Sequence, residues 1–353
     1  MDEMIKYIID FIGSTFNFIK YNDNLITSLI KSNTRIKLQK ENIVSNFTVF
    51  STPKIIVNKN QSVDISRFNN VLSELIVDFV EYLNNNYSSE NLNLLYRNLK
   101  TLKVCDENTF RFIKNKIRLK LIGGIYAGSY SPVFNRIIII DPDDYKHKIF
   151  NLMYMKQIMY HELLHMSSTV MKKDIIFSGF SQIMLKGGKK YGIGINEGYT
   201  DLLMCRMFDK KENETGYSEE FEVVKNIEKL VGKDNMIRLY FSANLDGLIS
   251  ELSKYNSVYN VKKFILDLDL ISKYKSNIKI NISIDEKNIE EVKNRIIHFL
   301  VCSFREKLVN DFENGRISEK EFLVKSKQLL LNFNKENINE NDELGNNKNG
   351  LKM

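Results

Sequence analysis

Apolar residues recur at helical spacing from Ile5 to Ile30 and again from Phe68 to Leu83, where Leu72, Leu75, Phe79 and Leu83 share one face. Two helices are predicted there. Between them the runs 47–50 and 54–57 are β-branched or aromatic and flank Thr52 and Pro53, a pattern that predicts a short extended pair. From about Val104 glycines and β-branched residues appear together, in 121–131 and in 136–141, and predict strands of a small sheet. A long helix is expected from about Ile149 to Val170, then a loop rich in glycine (Gly179, Gly187, Gly188, Gly192, Gly194), then a second helix capped by Asn196. Ser283 with Glu286, and Ser318 with Glu321, have the Ser-x-x-Glu form that satisfies the free N–H groups of a helix start, so helices are predicted at 285–313 and 318–334. The pattern reads as an α+β chain, predominantly helical, with a small sheet. Its expected regions are 1–103, mostly helical; 104–255, carrying the sheet and two central helices; 256–335, helical; and a polar tail at 336–353, too poor in apolar groups to order.

Composition narrows the class without naming a chemistry. The 353 residues are 43% hydrophobic and 27% charged, ordinary values for a globular protein. Charged residues such as Asp10 interrupt every apolar run before the roughly 20 residues that a membrane span needs. The first residues lack a basic stretch and a cleavage site of secretory type, so the expected compartment is the cytoplasm, with non-classical export left open. Cys105, Cys205 and Cys302 are far apart and form no C-x-x-C pair, which argues against a disulfide framework. Lys and Arg number 51 against 44 acidic residues, and the two signs are interspersed, so no nucleic-acid partner is expected.

The chemistry is concentrated in one place. Of four histidines, His147, His161, His165 and His298, two stand four apart in the string His161, Glu162, Leu163, Leu164, His165. On a helix, positions i and i+4 lie on one face, so two imidazoles can reach a single metal ion. Glu162 is turned about 100° from His161 and is suited to act as general base on a metal-bound water without being a ligand. Met155, Met159, Leu163, Met166 and Val170 cover the other faces, so the helix should be buried, and buried histidines need partners. The candidate third ligand is Glu197, 32 residues after His165, with Asp201 one turn on as the acceptor of a histidine N–H. Taken singly these residues have plainer readings: an acid in the first turn of a helix for Glu197, a solvated surface acid for Asp201, an exposed residue for His147.

Together they resemble the gluzincins, the thermolysin-like zinc metallopeptidases, in which a His-Glu-x-x-His helix precedes a helix bearing Asn-Glu-x-x-x-Asp. The resemblance covers residues 120–210. It implies a zincin-like core, one Zn2+ per chain held by His161, His165 and Glu197, catalysis by Glu162, support by Asp201, and hydrolysis of peptide or protein substrates. It also implies a substrate lying along an edge strand, for which Ala127, Gly128, Ser129 and Tyr130 occupy the matching place. The family's oxyanion-binding residue has no clear match. His298 lies off the apolar stripe of its own helix, which leaves Tyr240 and Tyr191 as candidates. Tyr199 falls on the far side of its helix and reads as packing, as does Cys205, and the glycine loop could serve as a flap over the cleft. The alternative function is a non-catalytic metal-binding or helical interaction protein.

Overall fold

The computed structural model of the protein describes residues 55–58, 61–66, 68, 70–106, 128–139, 152–208, 217–278 and 286–329. The helix expected at 5–30, the strand at 47–50, residues 121–127 with Ala127, His147 and the tail at 336–353 lie outside them. The described residues open with strands β1 (Ile55–Asn58) and β2 (Gln61–Asp64), paired antiparallel, so 55–57 of the predicted run is extended and pairs with the segment that follows it. Helix α1 (Asn70–Asn86) then buries Leu72, Leu75, Phe79 and Leu83, the predicted face. A short 3-10 turn (Ser89–Leu92) leads into α2 (Asn93–Leu99).

The second sheet consists of β3 (Lys103–Asp106), β4 (Gly128–Ser131) and β5 (Arg136–Ile139) in the order β3-β5-β4. β3 runs parallel and β4 antiparallel to β5, which places β4 at an edge. Helix α3 (Leu152–Ser167) follows and carries the His-Glu-x-x-His string. Met159, Leu163, Leu164 and Met166 on it are fully buried, as a helix apolar on several faces requires.

The segment after α3 differs from expectation. It is a four-stranded antiparallel meander, β6 (Thr169–Lys172), β7 (Ile175–Ser178), β8 (Ser181–Met184) and β9 (Lys190–Tyr191), and the glycines expected to form a loop sit at its turns and at its exit. Strand β8 reads Ser-Gln-Ile-Met and offers little β-branched signal, while the glycines punctuating it dominate the pattern. At the β7–β8 turn Gly179 has φ +54°, a conformation that glycine adopts without strain.

Helix α4 (Ile193–Phe208) starts three residues before Asn196, which is therefore inside the helix and not its cap. The cap comes from elsewhere: the carboxylate of Asp269, on α8 (Val258–Ile278), accepts the N–H groups of Gly192 at 2.7 Å and Gly194 at 2.8 Å. A residue 75 positions away in sequence thus supplies the acceptor that local pattern assigned to Asn196. Helices α5 (Ser218–Val231) and α8 pack against α4, α6 (Lys233–Phe241) meets it through Tyr240, α7 (Leu245–Leu252) packs on α5, α6 and α8, and α9 (Glu286–Glu313) packs on α8 with Phe264 and Phe299 stacked at 4.2 Å. A further helical stretch at 319–329 begins with the predicted reciprocal cap: Ser318 N–H donates to Glu321, and Glu321 N–H to Ser318 Oγ. The described residues are mostly helical, and one buried apolar cluster extends from Val63 to Leu300. No helix among them is long and apolar enough to cross a membrane.

Candidate metal centre

α3 and α4 lie side by side, and the meander connecting them sets their separation. The i, i+4 spacing puts His161 and His165 one turn apart on α3, with their rings edge to face at 4.8 Å between centroids. Facing them on α4, Glu197 and Asp201 are likewise one turn apart. Three donor atoms converge: His161 Nε2 and His165 Nε2 are 3.0 Å apart, and Glu197 Oε2 is 3.3 Å from each. A tetrahedral ion with ligands at ~2.0–2.1 Å places any two donors about 3.3–3.4 Å apart. The triangle of imidazole, imidazole and carboxylate therefore fits the face of a metal coordination tetrahedron, with no fourth donor among the described residues.

Both histidines are held from behind. His161 Nδ1 lies 2.8 Å from Asp201 Oδ1, so this nitrogen carries a proton, and in the neutral ring Nε2 presents its lone pair toward the cluster. Asp201 is buried, and its second oxygen has no hydrogen-bond partner among the described residues, so the carboxylate is committed to His161. His165 Nδ1 lies 3.2 Å from Asn196 Nδ2, while Asn196 Oδ1 accepts the N–H of Phe180 at 3.0 Å. Asn196 thus ties the ligand to the β7–β8 turn. Its conformation leaves no space there: a Cβ at Gly179 would come within 2.2 Å of Asn196 Oδ1.

The electrostatics are those of a charged cluster out of water. Burial disfavours a protonated His161, but the hydrogen bonds to Asp201 and Glu197 outweigh it and hold the imidazole well above its ordinary range. Burial also opposes an ionised Glu197, yet the two histidines hold its carboxyl far below the usual carboxylate range. Glu162 goes the other way. Buried beside the cluster, it is raised by desolvation, an effect that His161 and His165 only partly offset.

Glu162 is also tied to the edge strand. It accepts the backbone N–H of Tyr130, so this N–H of β4 points toward α3 and away from β5. At Gly128 a Cβ would fall 2.5 Å from Ile158 Cγ2 and 3.3 Å from Glu162 Cγ, so the close approach of β4 to α3 requires glycine. Gly128, Ser129 and Tyr130 are therefore placed beside the cluster, and among the described strands β4 lies at the sheet's edge. Tyr130's hydroxyl donates to Asn135 Oδ1 at 2.9 Å.

The two tyrosines proposed from sequence have hydrogen-bond partners of their own. Tyr240 is fully buried among Phe180, Tyr199 and Phe241, and its hydroxyl is 2.7 Å from Thr200 Oγ1. Tyr191, on β9, donates to the backbone oxygen of Lys262 at 3.4 Å, and burial pushes its hydroxyl up to about 12. Tyr199 packs as expected, its hydroxyl bonded to Glu228, and Cys205 is buried. Sequence reasoning missed Tyr217, whose ring stacks on that of His161 at 6.3 Å and 14°, because it stands outside every motif, just before α5. It missed the role of Asn196 as well, although Asn196 lies inside the second motif. Compared with protein-family models, with curated proteins and with solved structures, the chain matches none.

Proposed function

We propose that the protein is a single-zinc peptidase of gluzincin type, with a zincin-like core, acting on peptide or protein substrates. The observation that carries the reading is the cluster itself: His161, His165 and Glu197 at tetrahedral spacing, with Glu162 raised by burial immediately beside it. Two imidazoles and a carboxylate suit zinc, and three protein donors are the usual number for a catalytic zinc. Zinc bound there would lower the pKa of a coordinated water and polarise the scissile carbonyl.

The chain's own residues account for the rest. His161, oriented by Asp201, and His165, held by Asn196, fix the ligand geometry before any substrate arrives. Glu162 takes a proton from the attacking water and delivers it to the leaving amine, and burial raises its basicity above that of an ordinary carboxylate. Among the described strands β4 is an edge, and its backbone groups other than the Tyr130 N–H held by Glu162 are offered to an extended substrate segment, so the peptide would add as a strand beside Gly128 to Tyr130.

The test is elemental analysis of untagged protein purified without added metal, followed by a hydrolysis assay on a quenched-fluorescent peptide library. Near-equimolar zinc in the parent, lost in Glu197→Ala, together with cleavage abolished in Glu162→Gln at unchanged zinc content, is the expected result. Protein that cannot be loaded with zinc, or full activity in Glu162→Gln, would end this reading.

A further inference from the structure

His298 plays no part in the cluster above, yet it repeats the chemistry on another helix. It stands in the middle of α9, whose inner face, Ile289, Val292, Ile296 and Phe299, is buried against the rest of the molecule. His298 points outward and is exposed, and Cys302, one turn on, is half-buried with a free thiol. Cys302 Sγ and His298 Nε2 are 3.5 Å apart. A tetrahedral ion with a nitrogen ligand at ~2.0–2.1 Å and a sulfur ligand at ~2.3 Å sets those donors about 3.5–3.6 Å apart. The pair already has the chelate bite that such an ion requires, and both donors stand on a regular helix well away from its ends, which fixes their separation.

We infer that His298 and Cys302 form a second metal-binding site, a two-residue chelate on the outer face of α9 for a borderline-soft divalent cation such as Zn2+ or Co2+. Imidazole and thiolate select that class over magnesium and calcium, which prefer oxygen. On binding, the S–H bond breaks, a metal–sulfur bond forms, and the proton passes to the solvent. Water completes the coordination. The inference does not depend on the peptidase reading, because the two sites share no residue and only this one contains sulfur.

The sulfur supplies the test. The full-length protein is stripped with a chelator and titrated with Co2+ under reducing conditions, following metal stoichiometry and the near-ultraviolet thiolate-to-cobalt charge-transfer band. Two equivalents are expected in the parent, with the band belonging to one of them. Cys302→Ser and His298→Ala should each lose the band and one equivalent, while their far-ultraviolet dichroism remains that of the parent. Glu197→Ala should lose the other equivalent and keep the band, so failure of the catalytic cluster and failure of this site are distinguishable. A parent without the band, or a band that survives either α9 substitution, would overturn the inference.

Discussion

Asp201 concentrates the argument at the scale of single residues. A carboxylate with one oxygen on His161 Nδ1 and the other without a partner costs desolvation, which the charge of a metal-bound imidazole would offset. Asp201→Asn keeps an oxygen for the Nδ1 proton and removes the charge. It should weaken zinc binding by about 10- to 100-fold while leaving the fold intact, as measured by competition with a chromophoric chelator. Unchanged affinity would mean that the charge is not what supports the ligand. The His161, His165 and Glu197 cluster was legible in the sequence because the spacing within each helix is local: the histidines stand four apart on one helix, and Glu197 stands four before Asp201 on the next. Asn196 was misread for the opposite reason. Its partners are a backbone N–H at Phe180 and a ring at His165, and nothing in the string around it indicates a turn brought back against α4.

At the scale of elements, the amphipathic helices were legible and the meander was not, because strands of four residues with glycine at their turns give a weak alternating signal. The start of α4 was hidden for a related reason, since its cap is contributed from α8. Asp269 there is raised to about 6 by burial, against which the N–H groups of Gly192, Ile193 and Gly194 act without prevailing. Its folded pKa lies above that of the unfolded chain, so between about pH 4 and pH 6 the folded state holds the extra proton. Asp269 should therefore lend stability below this window and lose that share as the pH rises through it. The stability of the parent relative to Asp269→Asn, from denaturant unfolding, should fall from about pH 4 to 6 and then level. A difference that grows with pH would show that the three N–H groups outweigh burial.

Across the whole molecule, the buried cluster from Val63 to Leu300 makes the metal-bearing helices dependent on sequence far from them. α4 is walled by α5 and α8, and α8 contributes Val261, Phe264, Ile265, Leu268 and Ile271 to the core besides the Asp269 cap. A chain truncated after residue 255 would expose these surfaces and leave the first N–H groups of α4 without acceptors. Fully burying one large aliphatic or aromatic side chain is worth about 1.5–3 kcal/mol, so the loss of five is comparable to the whole net stability of an ordinary domain. Truncated protein should be insoluble or lack a cooperative thermal transition, whereas the full chain should show one by calorimetry.

The meander that joins the two ligand-bearing helices has a further consequence, for the kinetics of the metal. A disordered connection would make every binding event also a folding event, with its entropy charged to the ion. Here the strands are hydrogen-bonded to one another, and folding itself has already brought the donors together. Zinc should then leave and return without the chain unfolding, its exchange governed by bond breaking at the cluster. Added zinc should raise the unfolding temperature smoothly with concentration, in the manner of a ligand entering a finished site.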